Sequence, residues 1–323
     1  MSRRKGLYAP LPGTGVGGGL FSLDDGYQGS LAPSYSVRVL IVGGGGGGGA
    51  DSGGGGGGAG VQDFYFQASA GTSTTITVGA AGLGGQTDTS TGTAGGNTFF
   101  GSAVALGGGY GASGDPSGTA TGGSGASGGG ASRVDATGHP FAGGSSTYLQ
   151  GNSGGDSGYN ATGNKYYYGG GGGGVTTAGE SKNDTSANGC DGGEGQSSDI
   201  TGTSVVYGSG GGGGTITGGY DPATTPGLGG TGAGDGGYHT LNGTSSTAGT
   251  DATTYGSGGG GGAFSGGSND ATGGDGGSGV ILIRVPGRWL GVSVDSVAQT
   301  PTEVEGDWLF TITSGTNATL EFT

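Results

Sequence analysis

Tyrosines are the residues of this chain best suited to recognition. Tyr148, Tyr159, Tyr166, Tyr167, Tyr220 and Tyr238 sit among Asn, Asp, Ser and Thr. A tyrosine offers a rigid flat face and a polar tip, the combination that binding loops favour. The competing reading is that a tyrosine lies down on the glycine backbone beside it. That reading is preferred for Tyr207 and Tyr255, which abut glycine runs. Groups that could carry catalysis are poorly placed. His139 precedes Pro140 and His239 follows Tyr238, with no cysteine partner and no second ligand at a metal spacing. Asp191 with Glu194, and Asp270 with Asp275, are carboxylate pairs in polar surroundings, where nothing signals the burial that tunes a general acid.

Two motifs suggest ligands and fail on context. Val39-Leu40-Ile41-Val42-Gly43-Gly44, with Asp63 about 20 residues on, resembles the entry to a dinucleotide site. That site needs a helix directly after the glycines. Here Ala50, Asp51 and Ser52 lead instead into six more glycines. Gly229-Gly230-Thr231-Gly232-Ala233-Gly234-Asp235 misplaces by one residue the aspartate of a calcium-binding repeat. The expectation is a protein with no enzymatic activity, no cofactor and no metal.

The elements that position the tyrosines must be built largely from glycine. The chain has 97 glycines in 323 residues, 9 prolines, 29% hydrophobic and 10% charged residues. Runs such as Gly53–Gly58 break any Gly-X-Y period, which excludes collagen. Composition alone describes a disordered linker. Ordered glycine costs roughly 1–2 kcal/mol of backbone entropy per residue, so bonds between neighbouring segments must contribute heavily. Polyproline-II-like helices suit this, with about three residues per turn and every N–H and C=O directed outward. Without Cβ atoms they can approach one another and bond sideways. The alternative is a twisted β-sandwich with glycine-rich turns. Long homoglycine runs favour the bundle, because a glycine strand buries nothing and pairs without register.

Val37–Val285 is the organising stretch. It opens on Val37–Val42, apolar on both faces and therefore a strand covered on both, and closes on Val280–Val285. Val61–Phe66, Thr72–Val78 and Asn97–Leu106 add strands, so residues 37–106 and 280–285 read as a small β-rich base. Residues 107–279 read as a polyglycine-II bundle. Tyr168, Tyr207 and Tyr255 each lead a glycine run that ends on a small or β-branched residue, a recurrence that signals stacked units. The polar stretches Ser145–Lys165, Thr176–Ile200 and Tyr220–Asp251 read as loops at the bundle's ends. Residues 1–36 form an N-terminal arm whose Arg3, Arg4, Lys5, Leu20, Phe21, Leu23 and Tyr27 are candidates for anchoring it in a larger assembly. Residues 286–323 read as a C-terminal β-hairpin module with Trp289 and Trp308 in its core. The fold class is thus mostly irregular and β, with almost no α-helix.

The net charge of −14, with only Arg133, Lys165 and Lys182 basic between the bracketing strands, argues against nucleic acid. Cys190 is the single cysteine, so no internal disulfide staples the fold. No apolar run approaches the ~20 residues of a membrane helix, and Pro10 and Pro12 spoil Gly6–Gly19 as a signal-peptide core. The expectation is a soluble protein not exported by that route.

VLIVGGGGGGG, TITVGAAGLGG, NTFFGSAVALGGG and the closing GGSGVILIRV, in that order, resemble the glycine-rich domain of bacteriophage tail proteins. The later half is similar in style to the tip adhesins of T-even-type long tail fibres. The resemblance implies a polyglycine-II sandwich whose intervening segments form receptor-binding loops. It implies a virion component, made in the host cytoplasm, whose partners are other tail or fibre proteins and a bacterial surface receptor, with homo-oligomers possible and no membrane insertion. The arm and the C-terminal module depart from those adhesins. A structural virion decoration and an ice-binding protein are the alternative readings.

Overall fold

The computed structural model describes residues 33–87, 89–114, 120–133, 140–160, 166–182, 188–217, 225–238, 246–264 and 271–323. Its strands, in chain order, are β1 (Tyr35–Val42), β2 (Val61–Ala68), β3 (Ser73–Thr77), β4 (Thr98–Phe100), β5 (Ala103–Ala105), β6 (Gly158–Asn160), β7 (Tyr166–Tyr168), β8 (Gln196–Ser198), β9 (Val205–Tyr207), β10 (Thr215–Thr217), β11 (Val280–Val285), β12 (Val292–Val294), β13 (Val297–Ala298), β14 (Thr302–Val304), β15 (Asp307–Ile312) and β16 (Ala318–Phe322). Among the described residues the only helix is a 3-10 turn at Pro286–Arg288. Among the described residues, no helix is long and apolar enough to cross a membrane. The mostly β and irregular class expected from the sequence is what the chain adopts.

The base consists of two sheets. One has the order β14-β15-β11-β1-β2 and the other β13-β12-β16-β3-β4-β5. Between them lies the main apolar core, which includes Val37, Val39, Ile41, Ile76, Phe100, Ile281, Ile283, Phe310, Leu320 and Phe322. The first sheet's other face carries Leu40, Val42, Val280 and Leu282, covered by Ile200 and Tyr207 at the β8–β9 hairpin. β1 is therefore covered on both faces, as its unbroken apolar run requires. Residues 286–323 do not stand apart as a hairpin module. β15 pairs with β11 and β16 with β3, so the C-terminal strands complete both sheets. Trp308 packs against the main core, whereas Trp289 is 69% exposed and stacks on Tyr35.

From β1 the chain runs straight into the glycine body. Gly43, Gly46 and Gly49 donate to the carbonyls of Gly60, Gly57 and Gly54. Gly44, Gly47 and Ala50 donate to Gly96, Thr93 and Ser90, and Gly45, Gly48 and Asp51 to Gly277, Gly274 and Ala271. Successive residues thus face three different neighbours, and the pattern repeats every three residues, the period of a polyproline-II-type helix. Carbonyls of the same rod accept from three further segments, through Gly82 and Gly85, Gly108 and Gly111, and Gly259 and Gly262, all at 2.8–3.0 Å. Residues 43–51 are therefore surrounded on six sides, bonded to a different rod on each. The same ring of partners encloses 53–60, 127–133, 169–174, 208–215 and 256–263.

Pairing directions give the polarity. Rods run away from the base at 43–51, 79–86, 107–114, 127–133, 151–157, 177–181, 208–215, 233–238 and 256–263. They return at 53–60, 90–96, 120–125, 141–147, 169–174, 189–195, 225–231, 247–254 and 271–278. The chain alternates strictly between the two sets. The polar stretches read as loops therefore contain outer rods. A surrounded rod needs glycine at almost every position, because each residue faces another backbone. An outer rod exposes about one residue in three, as at Thr225, Leu228 and Thr231, and those positions admit side chains. The three Tyr-Gly units are not equivalent either. Tyr207 and Tyr255 stand at the base, where Gly208 and Gly256, both at φ 73°, turn into outgoing rods. Tyr168 opens an incoming rod at the far end and is fully buried beside Cys190.

A Cβ on any of Gly43–Gly49 would lie within 3.0 Å of a backbone carbonyl oxygen in a neighbouring rod. Gly46→Ala is expected to cost about 2–4 kcal/mol, through overpacking and lost backbone bonds. Leu83→Ala, at an exposed outward position, should stay within about 0.5 kcal/mol. Denaturant midpoints of the two variants measure the difference.

Candidate functional site

Outgoing rods end, and incoming rods begin, at a pole opposite the base, and most of the candidate tyrosines gather there. β6 extends the outgoing rod 151–157, β7 opens the incoming rod 169–174, and β10 extends the outgoing rod 208–215. They form a three-stranded sheet of order β10-β7-β6. Its register sets Tyr159 opposite Tyr167 and Ile216 on the other side of Tyr167, while Tyr166 lies between Asn160 and Thr217. Tyr238 ends the outgoing rod 233–238 at the same pole and is 40% exposed. Its backbone is held at both ends: the amide donates to Thr247 Oγ1 at 2.8 Å, and the carbonyl accepts from the Thr247 amide at 3.0 Å.

Tyr148 is elsewhere. The rod 141–147 is incoming, so the turn after it lies at the base. The Gln150 side chain ties this turn to the base, accepting from the Leu106 amide at 2.8 Å and donating to the Val104 carbonyl at 3.2 Å. Tyr148 and Leu149 project from it, 86% and 85% exposed. A loop position in the sequence does not say which pole the loop occupies; rod polarity does. Tyr220, His139, His239, Asp270 and the arm residues Arg3, Arg4, Lys5, Leu20, Phe21, Leu23 and Tyr27 lie outside the described residues.

The centre of the far pole is a tight turn between two surrounded rods. Asp51 and Ser52 both take positive φ, 50° and 51°, and both are buried. Left-handed backbone at two consecutive non-glycine residues is unusual and persists only where the surroundings hold it. Arg133 helps to hold it. Its amide donates to the Ser52 carbonyl, its Nε donates to the Gly114 carbonyl at 2.9 Å, and its guanidinium lies over the Phe264 ring, 4.8 Å from the centroid.

Acidic residues of the outer rods have a structural task that the sequence reading missed. An outer rod directs some amides away from the bundle, where no further rod can accept them. Side chains of the next outer rod accept instead. Asp156 Oδ1 accepts from Gly143, Glu180 Oε2 from Asp191, Asp191 Oδ1 from Leu228, and Glu194 Oε2 from Thr231. Asp235 Oδ1 accepts from Gly229, Asp251 Oδ1 from Asp275, and Asp275 Oδ1 from Gly84. Thr250 and Thr93 hydroxyls do the same for Asp235 and Leu83. This belt laces rod to rod along the outside. The signal for it was an Asp, Glu or Thr recurring beside glycine pairs. Asp191 and Glu194, paired three residues apart, thus serve adjacent positions of one neighbouring rod. No group of three or more His, Cys, Asp or Glu side chains among the described residues could hold a metal ion.

A bundle of surrounded polyglycine rods on a β base, with connections displayed at the opposite pole, defines a scaffold class. Residues 28–286 match the profile of the glycine-rich domain family, and the chain belongs to that family. No curated protein matches it in sequence.

Two outcomes follow from this geometry. Asp275→Ala leaves the outward amide of Gly84 without its acceptor and should cost about 1 kcal/mol, whereas Asp275→Asn retains an acceptor oxygen and should cost much less; unfolding midpoints compare them. Cys190 is buried, and desolvation pushes its thiol up to about 12, so it should resist alkylation at pH 8 in the folded protein and react once denatured. Rapid native labelling, read by mass spectrometry, would contradict that packing.

Proposed function

We propose that this chain is a bacteriophage virion protein of the tail fibre or tail tip, acting as an adhesin that binds the host receptor. The carrying observation is the strict alternation of rod direction. Because of it, the connections bearing Tyr159, Tyr166, Tyr167 and Tyr238 converge on one pole, on a backbone lattice that does not depend on their own sequence. Such a pole can change its contact residues while the scaffold stays fixed, as a host-recognition surface must. The receptor on this reading is a bacterial surface glycan or outer-membrane protein, for which aromatic faces among Asn, Ser and Thr are suitable. The base faces other tail or fibre proteins. The resemblance of the ordered glycine motifs to those of phage tail proteins supports the same reading, which needs no cofactor, no nucleic acid and no membrane insertion.

The test is adsorption of the purified chain to host cells. Tyr167→Ala combined with Tyr238→Ala is expected to weaken adsorption about tenfold or more, the size of a lost aromatic anchor, with the unfolding midpoint unchanged. A wild-type chain that binds no host cell, yet is required for virion assembly, would favour a purely structural virion protein.

A further inference from the structure

The belt of acidic side chains does not go all the way round. It runs over the outer rods from 151–157 through 177–181, 189–195, 225–231, 233–238 and 247–254 to 271–278 and 79–86. The remaining flank is formed by rods 90–96, 107–114, 120–125 and 141–147, which adjoin one another in that order. Residues 89–114, 120–132 and 140–155 contain no Asp, Glu, Lys or Arg at all. The outward positions of 90–96, 120–125 and 141–147 are Thr91, Ala94, Thr121, Ser124, Ala142 and Ser145, most of them exposed. By the three-residue period, their amides point away from the bundle. Among the described residues no side chain or carbonyl accepts from them, in contrast to the laced flank.

At the base end of this flank stands the Thr147–Gln150 turn. Gln150 fixes it to the base, and it presents Tyr148 and Leu149, two adjacent large apolar side chains left almost entirely in solvent. Leu149 also has φ 68°, an unfavourable conformation for a bulky residue. A strained turn, tied to the base by Gln150, that displays an aromatic and a leucine has the character of an interface anchor, not of a solvated loop.

We propose that this uncharged flank, with the Tyr148–Leu149 turn at its edge, is the contact between two copies of this chain. Charge selects the occupant. The chain carries a net charge of −14, so two copies repel wherever their acidic flanks meet. The flank without charge is where they can approach, and its outward amides and carbonyls are a lattice face ready to bond to another rod. A basic partner would be drawn to the laced flank instead. A two-fold arrangement of identical flanks is self-complementary in chemistry and closes without leaving a growing edge.

Analytical ultracentrifugation of the full chain tests this. The wild type is expected to self-associate at tens of micromolar. Ala142→Glu, and separately Leu149→Asp, should each raise the dissociation constant at least about tenfold without moving the unfolding midpoint. Leu83→Asp, on the laced side, should leave it unchanged. A wild type that stays monomeric at about 100 micromolar would overturn the proposal. So would an oligomer that survives both flank variants, or one that Leu83→Asp disrupts equally.

Discussion

Backbone must reach backbone from all sides, and the rest of the molecule depends on that constraint. A rod such as 43–51 bonds to six neighbours only because no Cβ stands between its amides and their carbonyls. In an ordinary core, side chains fill the space between elements and their shapes specify the packing. Here the space between surrounded rods holds few side chains, all of them small, such as those of Ser127, Ala131, Ser209 and Ser257. Specificity comes from the three-residue rotation of hydrogen-bonding directions, and almost every buried polar group of a rod is satisfied by another rod. Glycine's entropic cost is offset by bonding nearly all of its backbone groups to neighbouring rods, not by apolar burial.

A lattice of identical rods has weak intrinsic register, since sliding by three residues restores the pattern. The base removes that freedom. β1 leads directly into the first rod and β11 directly follows the last, and the two strands pair from Arg38 with Arg284 to Val42 with Val280. Both ends of the glycine body are thus fixed to one apolar core, which sets the phase of the first and last rods. Charged side chains on these two interior strands support the pairing. Arg38 meets Asp63 and Asp199, and Arg284 meets Glu305 and Asp307, so that adjacent arginines on paired strands each have two carboxylates. The guanidinium of Arg38 holds the exposed carboxyl of Asp199 below the usual carboxylate range. The resulting contribution is present at neutral pH and fades as Asp199 becomes protonated in acid.

What the sequence disclosed follows the same physics. The homoglycine runs were legible as rods because a surrounded rod tolerates little else, and the apolar runs Val37–Val42 and Val280–Val285 were legible as strands covered on both faces. The outer rods were hidden. Thr177-Ala178-Gly179-Glu180 reads as a loop because its outward positions carry side chains, and only the neighbouring rods reveal it as part of the lattice. The C-terminal strands looked like a separate hairpin because alternation shows a strand but not its partner. Of the candidate tyrosines, Tyr159, Tyr166, Tyr167 and Tyr238 share one pole, while Tyr148 lies at the other. Their distribution depends on the direction of each rod, which no local pattern encodes. The carboxylate belt was hidden as well, since its function appears only across rods distant in the chain.

The three-residue period has a consequence for how such a chain can vary in length. Within a surrounded rod, losing or gaining one codon would rotate every later residue by a third of a turn and aim each amide at the wrong neighbour. Indels there are tolerable only in triplets of residues, and a rod so lengthened would outgrow all the rods around it. Adding a complete out-and-back excursion at the perimeter disturbs nothing already in place. Members of this architecture can therefore diversify by becoming broader, one hairpin excursion at a time, while their height stays fixed.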